Sequence, residues 1–193
     1  MAVGQRITVR TVDSGSAWPS AAGIETARLI LEPLRIDHAA ELAPTLDDEA
    51  LHRYIGGSPA TLDELRSRFA AQIVGHSPNG AEGWLNWVVR TRDAGAAVGT
   101  VQTTLHGEPG ARSAEIAWVI ARPHQSKGYA SEASGGMLVW LGRHGVRRVN
   151  AHIHPEHRAS IGVAKRLGLI PTEDIADGEI RWTLPPEPEP TGH

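Results

Sequence analysis

The sequence predicts an α/β fold built on one mixed β-sheet with helices on its faces, and three observations predict it. Its apolar segments alternate between strand-like runs and helical periodicity, in the order strand, two helices, three strands, helix, strand, helix, two strands. At the centre, an apolar run from Ile116 to Ala121 feeds a helix opening at Tyr129 or Ala130 through a short polar turn that contains a glycine. With 193 residues and 40% apolar content, the chain suits one domain with a full core.

Residues 1–24 read as a mobile lead-in carrying Ser, Gly and Pro, with the ITVRTV run as a candidate edge strand. The domain proper is expected over residues 25–185. Its first strand is Arg28 to Glu32, stopped by Pro33. Asp37 then reads as the N-cap of a helix with apolar positions at Ala40, Leu42 and Ala43. The next helix is better marked. Thr61-Leu62-Asp63-Glu64 is a capping box, and Leu62, Leu65, Phe69 and Ile73 lie at helical spacing. Trp84 to Arg90 and Ala97 to Leu105 read as strands joined by a hairpin at Asp93-Ala94-Gly95.

After the central strand, Ala130, Ala133, Met137, Trp140 and Leu141 form one face of a helix that Gly145 can stop. Gly135 and Gly136 inside that helix each cost about 1 kcal/mol relative to alanine, which close packing against the sheet would explain. Val149 to His154 is the next strand, and Arg158 to Leu167 is a short helix ended by Gly168. Residues 168–172 and 179–184 can pair through an Asp177-Gly178 turn. The Pro-rich tail, residues 186–193, should be disordered.

Composition narrows the function classes. There is no cysteine, which excludes disulfides and thiolate chemistry and is compatible with a reducing cytoplasm. No run approaches the eighteen apolar residues of a membrane span, and the N-terminus lacks a signal-peptide core, so a soluble, unexported protein is expected. The net charge of −3 hides a separation. Residues 32–64 carry eight acids against Arg35 and Arg53, whereas residues 111–170 carry nine Lys and Arg against Glu115, Glu132 and Glu156. The second stretch suits a polyanionic ligand, although two solvated faces would give the same count.

Residues 115–134, EIAWVIARPHQSKGYASEAS, carry the clearest chemistry. The first turn of a helix has no internal acceptors for its N–H groups, so a strand–turn–helix junction aims several of them at one point. Such a point attracts phosphate oxygens, helped by the helix dipole and by the charge of Lys127. Gly128 lets backbone approach a ligand closely. The spacings of a dinucleotide fingerprint and of a phosphate loop with its Lys-Ser/Thr pair both fail to occur.

What does occur is Q-x-x-G-x-A across Gln125, Gly128 and Ala130, followed at once by Ser-Glu-Ala. This resembles the acyl-CoA pyrophosphate loop of the GCN5-related N-acetyltransferases (GNAT), and KGYASEA is most similar to the branch that acetylates ribosomal-protein N-termini. The element order also matches the acyl-CoA N-acyltransferase fold of that family over about residues 25–185. The resemblance implies a sheet splayed between the central strand and the strand after its helix, with acetyl-CoA lying in the wedge as acetyl donor. It places pantetheine along Val119, Ile120 and Ala121, and pyrophosphate on Gln125, Ser126, Lys127, Gly128, Tyr129 and Ala130. At His154-Pro155-Glu156-His157-Arg158-Ala159-Ser160 the family usually has Asn where His157 stands, whereas Ser160 agrees with it. His157 and Ser160 are accordingly expected beside the cofactor.

The implied activity is direct acetyl transfer to a primary amine, a small cationic amine or a protein N-terminus, without a covalent intermediate. A homodimer is compatible with it, and neither nucleic acid nor membrane is implied as a partner. The chemistry needs a group to take the amine's proton and donors for the developing oxyanion. Glu115, at the start of the central strand, is the first candidate base, unless it is a strand-end carboxylate paired with an arginine. His152 and His154 share a face of the neighbouring strand by the period-two rule and are the alternatives. The tyrosine that many relatives use to protonate the leaving thiolate would stand at Ala164, so Ser160 is the better candidate for contacting the thiolate. His152, His154 and His157 also allow a metal reading, but no clear carboxylate partner stands near them, and none is expected. A catalytically silent CoA-binding protein on the same fold is the alternative function.

Overall fold

In the computed structural model, residues 18–49, 51, 54 and 58–185 are described. Strands β1 (Ile24–Glu25) and β2 (Leu29–Pro33) are followed by helices α1 (His38–Leu46) and α2 (Leu62–Gln72). Strands β3 (Gly83–Thr91), β4 (Ala97–His106) and β5 (Ser113–Ile120) come next, then a 3-10 turn (Arg122–His124) and helix α3 (Tyr129–Arg143). β6 (Arg148–Ile153), α4 (Arg158–Arg166), β7 (Ile170–Ala176) and β8 (Glu179–Thr183) complete the chain order. The strands form one sheet in the order β1-β2-β3-β4-β5-β6-β8-β7.

Every neighbouring pair is antiparallel except β5 and β6, which are parallel. A parallel pair cannot be closed by a tight turn and needs a crossover connection, which here is α3. The side chains of β3 alternate between faces. Trp87 and Val89 face a core shared with Met137, Trp140 and Leu141 of α3, while Val88 faces Ala39, Leu42, Leu65 and Phe69 of α1 and α2. Each such buried Leu or Phe removes enough apolar surface from water to contribute roughly 1.5–3 kcal/mol. α3 therefore covers one face of the sheet and α1 with α2 the other.

The local signals of α2 hold at its start. Thr61 accepts the Glu64 N–H while the Glu64 carboxylate accepts from Thr61, closing the capping box. Only Leu65 and Phe69 of the predicted apolar face are buried, whereas Leu62 and Ile73 are exposed at the helix ends. At α1, Asp37 stands at the N-cap position but its side chain makes no cap bond. Arg35 takes its carboxylate instead, at 3.1 Å. In α3, a Cβ on Gly136 would lie 2.9 Å from the Thr26 methyl, so close packing explains that glycine. It does not explain Gly135, where the nearest atom is a flexible Leu167 methyl at 3.9 Å.

The domain extends back beyond residue 25. Trp18 donates from Nε1 to the Gly80 carbonyl, Trp87 donates to the Ala22 carbonyl, and β1 pairs with β2. The ITVRTV run and residues 186–193 lie outside the described residues.

Candidate active site

The site begins with a short pairing. β5 and β6 are in register over three positions only, Ser113 with Arg148 to Glu115 with Asn150. Beyond Glu115 the strands part. A cavity of about 520 Å³ opens there, with walls that include Glu115, Val119, His152, His154, His157 and Ser160.

Strand parity decides which backbone groups face the gap. The Ala121 N–H donates to the Val98 carbonyl, and in an antiparallel pair the bonded positions alternate. Val119, two residues back and opposite Thr100, is therefore bonded towards β4. Trp118 and Ile120 point their backbone groups the other way, into the gap. Ala121 is further committed, because its carbonyl accepts from the His124 N–H. Of the three residues expected along pantetheine, Ile120 thus offers its backbone N–H, its carbonyl being taken by Gln125, Val119 offers its side chain to the cavity wall, and Trp118 joins them.

At the far end of β5 the turn takes up an unusual backbone. Ser126 has φ +61° and Gly128 φ +82°, both in the left-handed region that favours glycine. Among the described residues, the N–H groups of Ser126, Lys127 and Gly128 have no acceptor. They stand at the start of α3, where the helix dipole adds positive potential. A Cβ at Gly128 would come within 3.4 Å of Arg28 Nη2, and φ +82° disfavours any side chain there. Gln125 contributes by bracing, since its Nε2 donates to the Ile120 carbonyl at 2.8 Å and ties the turn to the strand end. Tyr129 and Ala130 open the helix. This donor set, unpaired amides with Lys127 beside them, fits a pyrophosphate.

At the near end, three side chains meet on the sheet face beneath α1 and α2. Glu115 Oε1 accepts from Asn150 Nδ2 at 3.2 Å, and Glu115 Oε2 lies 3.1 Å from His152 Nδ1. The 3.1 Å contact falls short of hydrogen-bond geometry, since Glu115 Oε2 makes no hydrogen bond among the described residues, and it is an ion-pair distance that leaves Nε2 as the nitrogen away from the carboxylate. His154 follows the end of β6. Its Nδ1 accepts the Glu156 N–H at 3.2 Å, and its ring lies 5.5 Å from that of Tyr54.

His157 occupies the N-cap of α4, where its Nδ1 accepts the Ser160 N–H at 3.5 Å. Imidazole thus takes over the capping role that an asparagine side chain would fill. Burial, aided by the nearby His154, pushes the His157 pKa below the usual histidine value and keeps the ring neutral. Tyr54 stacks on it with centroids 4.4 Å apart. Ser160, in the first turn of α4, lines the cavity, whereas Ala164 is fully buried in the core.

The acids of residues 32–64 stand elsewhere. Among the described residues none of them lines the cavity, whose acidic wall residues are Glu115 and Glu179. Arg90 binds Glu32 and Glu41, Arg35 binds Glu32 and Asp37, and Arg122 lies 3.4 Å from Asp48. Hydrogen bonds from Arg35 and Arg90 hold the Glu32 pKa down at about 2. Glu32, Asp37, Glu41 and Asp48 are thus drawn into ion pairs with arginines. Asn150, Tyr54 and Trp118 were not singled out from sequence. Asn150 was within reach, since it lies two residues before His152 on the same strand face. Tyr54 was not, because nothing local links it to His157.

The chain matches the family model described as an acetyltransferase (GNAT) domain over residues 28–170. No curated protein matches it in sequence. Among solved structures it is similar to a GNAT-family acetyltransferase from Bacillus anthracis, at TM-score 0.68 and 19% identity, covering 84% of this chain and 96% of that one. It is similar also to an acetyltransferase from Agrobacterium tumefaciens C58, at TM-score 0.66 and 20% identity, covering 86% and 95%. A third is the ribosomal L7/L12 α-N-protein acetyltransferase RimL in complex with coenzyme A, at TM-score 0.67 and 17% identity, covering 84% and 94%. The fold, the parted strands and the family match agree: the chain belongs to the GNAT acetyltransferase family and is an acetyl-CoA-dependent N-acetyltransferase.

Proposed function

We propose that the enzyme transfers the acetyl group directly to a primary amine, with His152 as general base and Glu115 as the residue that orients it. The observation that carries this reading is the Asn150–Glu115–His152 chain at the mouth of the gap. Acetyl-CoA supplies an acyl group activated as a thioester. The residues that would hold it are the N–H groups of Ser126, Lys127 and Gly128, the gap-facing edge at Trp118 and Ile120, and His157 with Ser160 across from them.

The chain's own part is to position, deprotonate and stabilise. A neutral amine attacks the acyl carbon, the C–N bond forms as the C–S bond breaks, and the amine's proton passes to His152 Nε2. Glu115 beside Nδ1 stabilises the resulting imidazolium, as any carboxylate close to a cation does. The Ser160 hydroxyl donates a hydrogen bond to the leaving thiolate. No side chain forms a covalent bond to the acyl group in this route.

The acceptor we infer is a small cationic amine or a protein N-terminus. Glu115 and Glu179 support it, as two carboxylates in a cavity wall that carries one arginine, Arg68, among the described residues. The test is CoA-thiol release with acetyl-CoA and a panel of primary amines, with the N-acetyl products identified by mass spectrometry. Turnover of an amine supports the reading. Stabilisation by CoA without turnover of any amine would favour a silent CoA-binding module.

A further inference from the structure

Arg28 immediately precedes β2, about a hundred residues before the turn it touches. Its Nε and Nη2 both lie 2.7 Å from Glu132 Oε2, and its own backbone N–H donates to Glu132 Oε1 at 2.7 Å. The Thr26 hydroxyl donates to the same Oε1, also at 2.7 Å. Arg28 Nη1 donates to the Lys127 carbonyl at 3.0 Å, and the guanidinium lies 5.0 Å above the Tyr129 ring. One side chain thus holds Lys127 of the turn, the first residue of α3 and an acid in its first turn.

The bond to Lys127 has a geometric consequence. In a trans peptide the C=O and the following N–H point in opposite directions. Drawing the Lys127 carbonyl towards Arg28 therefore turns the Gly128 N–H away from Arg28 and fixes the plane of that peptide. The left-handed backbone at Ser126 costs energy and needs such outside support to persist. Glu132 has a second consequence. A carboxylate in the first turn of α3 would repel a polyanion at that helix terminus, and the Arg28 guanidinium cancels its charge.

We propose that Arg28 is a positioning residue that braces the turn for the pyrophosphate of acyl-CoA, with Glu132 serving to hold Arg28. The inference rests on the cofactor placement above. It differs from simple attraction between an arginine and a phosphate in what it expects of Glu132. Removing an acid beside a polyanion should tighten binding by electrostatics alone, whereas removing the brace's anchor should weaken it.

The experiment measures affinity for CoA and for pantetheine, which lacks the pyrophosphate, by calorimetry or ligand-observed NMR. It uses the wild type, Arg28→Ala, Arg28→Lys and Glu132→Gln, with Tm recorded for each. The brace predicts that Arg28→Ala and Glu132→Gln each weaken CoA on the order of tenfold, the scale of a lost charge-assisted hydrogen bond, and leave pantetheine unchanged. Arg28→Lys, which keeps the charge but loses the planar fork, should recover little of the loss. Tighter CoA binding by Glu132→Gln, full rescue by lysine, or equal weakening of both ligands would each overturn it. Should Arg28→Ala fail to fold, Glu132→Gln decides alone. A wild type that binds neither ligand overturns the cofactor placement itself, and is thereby distinguishable from a failure of the brace.

Discussion

The two ends of the gap between β5 and β6 are built from different materials. The turn end is made of backbone: the amides of Ser126, Lys127 and Gly128, set by two left-handed residues. The other end is made of side chains from two strands, with Asn150 and His152 of β6 converging on Glu115 of β5. A backbone site tolerates changes of side chain but no change of path. A side-chain site tolerates neither a lost group nor a lost orientation. Binding should thus fail at one end and chemistry at the other.

The largest effect expected is at Gly128. Gly128→Val places a β-branched residue at φ +82°, and CoA binding measured by calorimetry should disappear while the fold persists. Retained affinity would show that the amides are not the binding groups. Next comes His152→Ala, which should lower kcat by roughly 10²-fold with CoA affinity unchanged, the usual scale for a lost general base. Near-normal kcat would move the role to Glu115 or His154.

Glu115→Gln should cost less, about tenfold in kcat/KM, because the amide oxygen can still accept beside His152 while the charge that stabilises the imidazolium is lost. A loss near 10²-fold would make Glu115 the base itself. Lys127→Ala sharpens the contrast from the other end. It removes one exposed charge and no backbone, so CoA should weaken by no more than about fivefold.

The smallest effect expected is a difference in acid sensitivity. His157 is held neutral, its pKa below the ordinary 6.5, chiefly by burial. The unfolded chain then binds a proton that the folded one resists, so the cap of α4 loses stability as pH falls below 6.5. Burial would raise the Glu132 pKa, but hydrogen bonds from Thr26 and from the backbone and guanidinium of Arg28 outweigh it and leave the value below 4.5. Its contribution is present above pH 4.5 and is lost as pH falls from there through the lowered value. Amide exchange across pH should therefore loosen residues 157–161 before residues 126–132. Simultaneous loosening would dissolve the distinction between the two ends.

Element order, the capping box of α2 and the polar turn that follows β5 were readable in the chain because each depends on residues within a few positions of one another. The Thr61–Glu64 box and the Gln125-to-Ala130 run are of this kind. The partners of the acidic stretch were not readable, for the complementary reason. A count of charges along residues 32–64 cannot show that Arg90, on β3, folds back onto Glu32 and Glu41. Nor can it show that Asp37 is drawn to Arg35 and leaves its cap unmade.

By itself the sequence determined which segments alternate with period two or period 3.6, where a polar, glycine-containing turn stands between strand and helix, and which residue types are present for acyl transfer. Only the tertiary structure decided which of them meet. Hydrogen-bond parity in β5, set by its register with β4, turned Trp118 and Ile120 into the gap and Val119 towards its neighbour strand. The three-position register of β5 on β6 brought Glu115 opposite Asn150 and within 3.1 Å of His152. Packing of β2 beside α3 set Arg28 on a turn about a hundred residues away. Such contacts depend on directions in space, which a list of residue types does not contain until the chain has closed on itself.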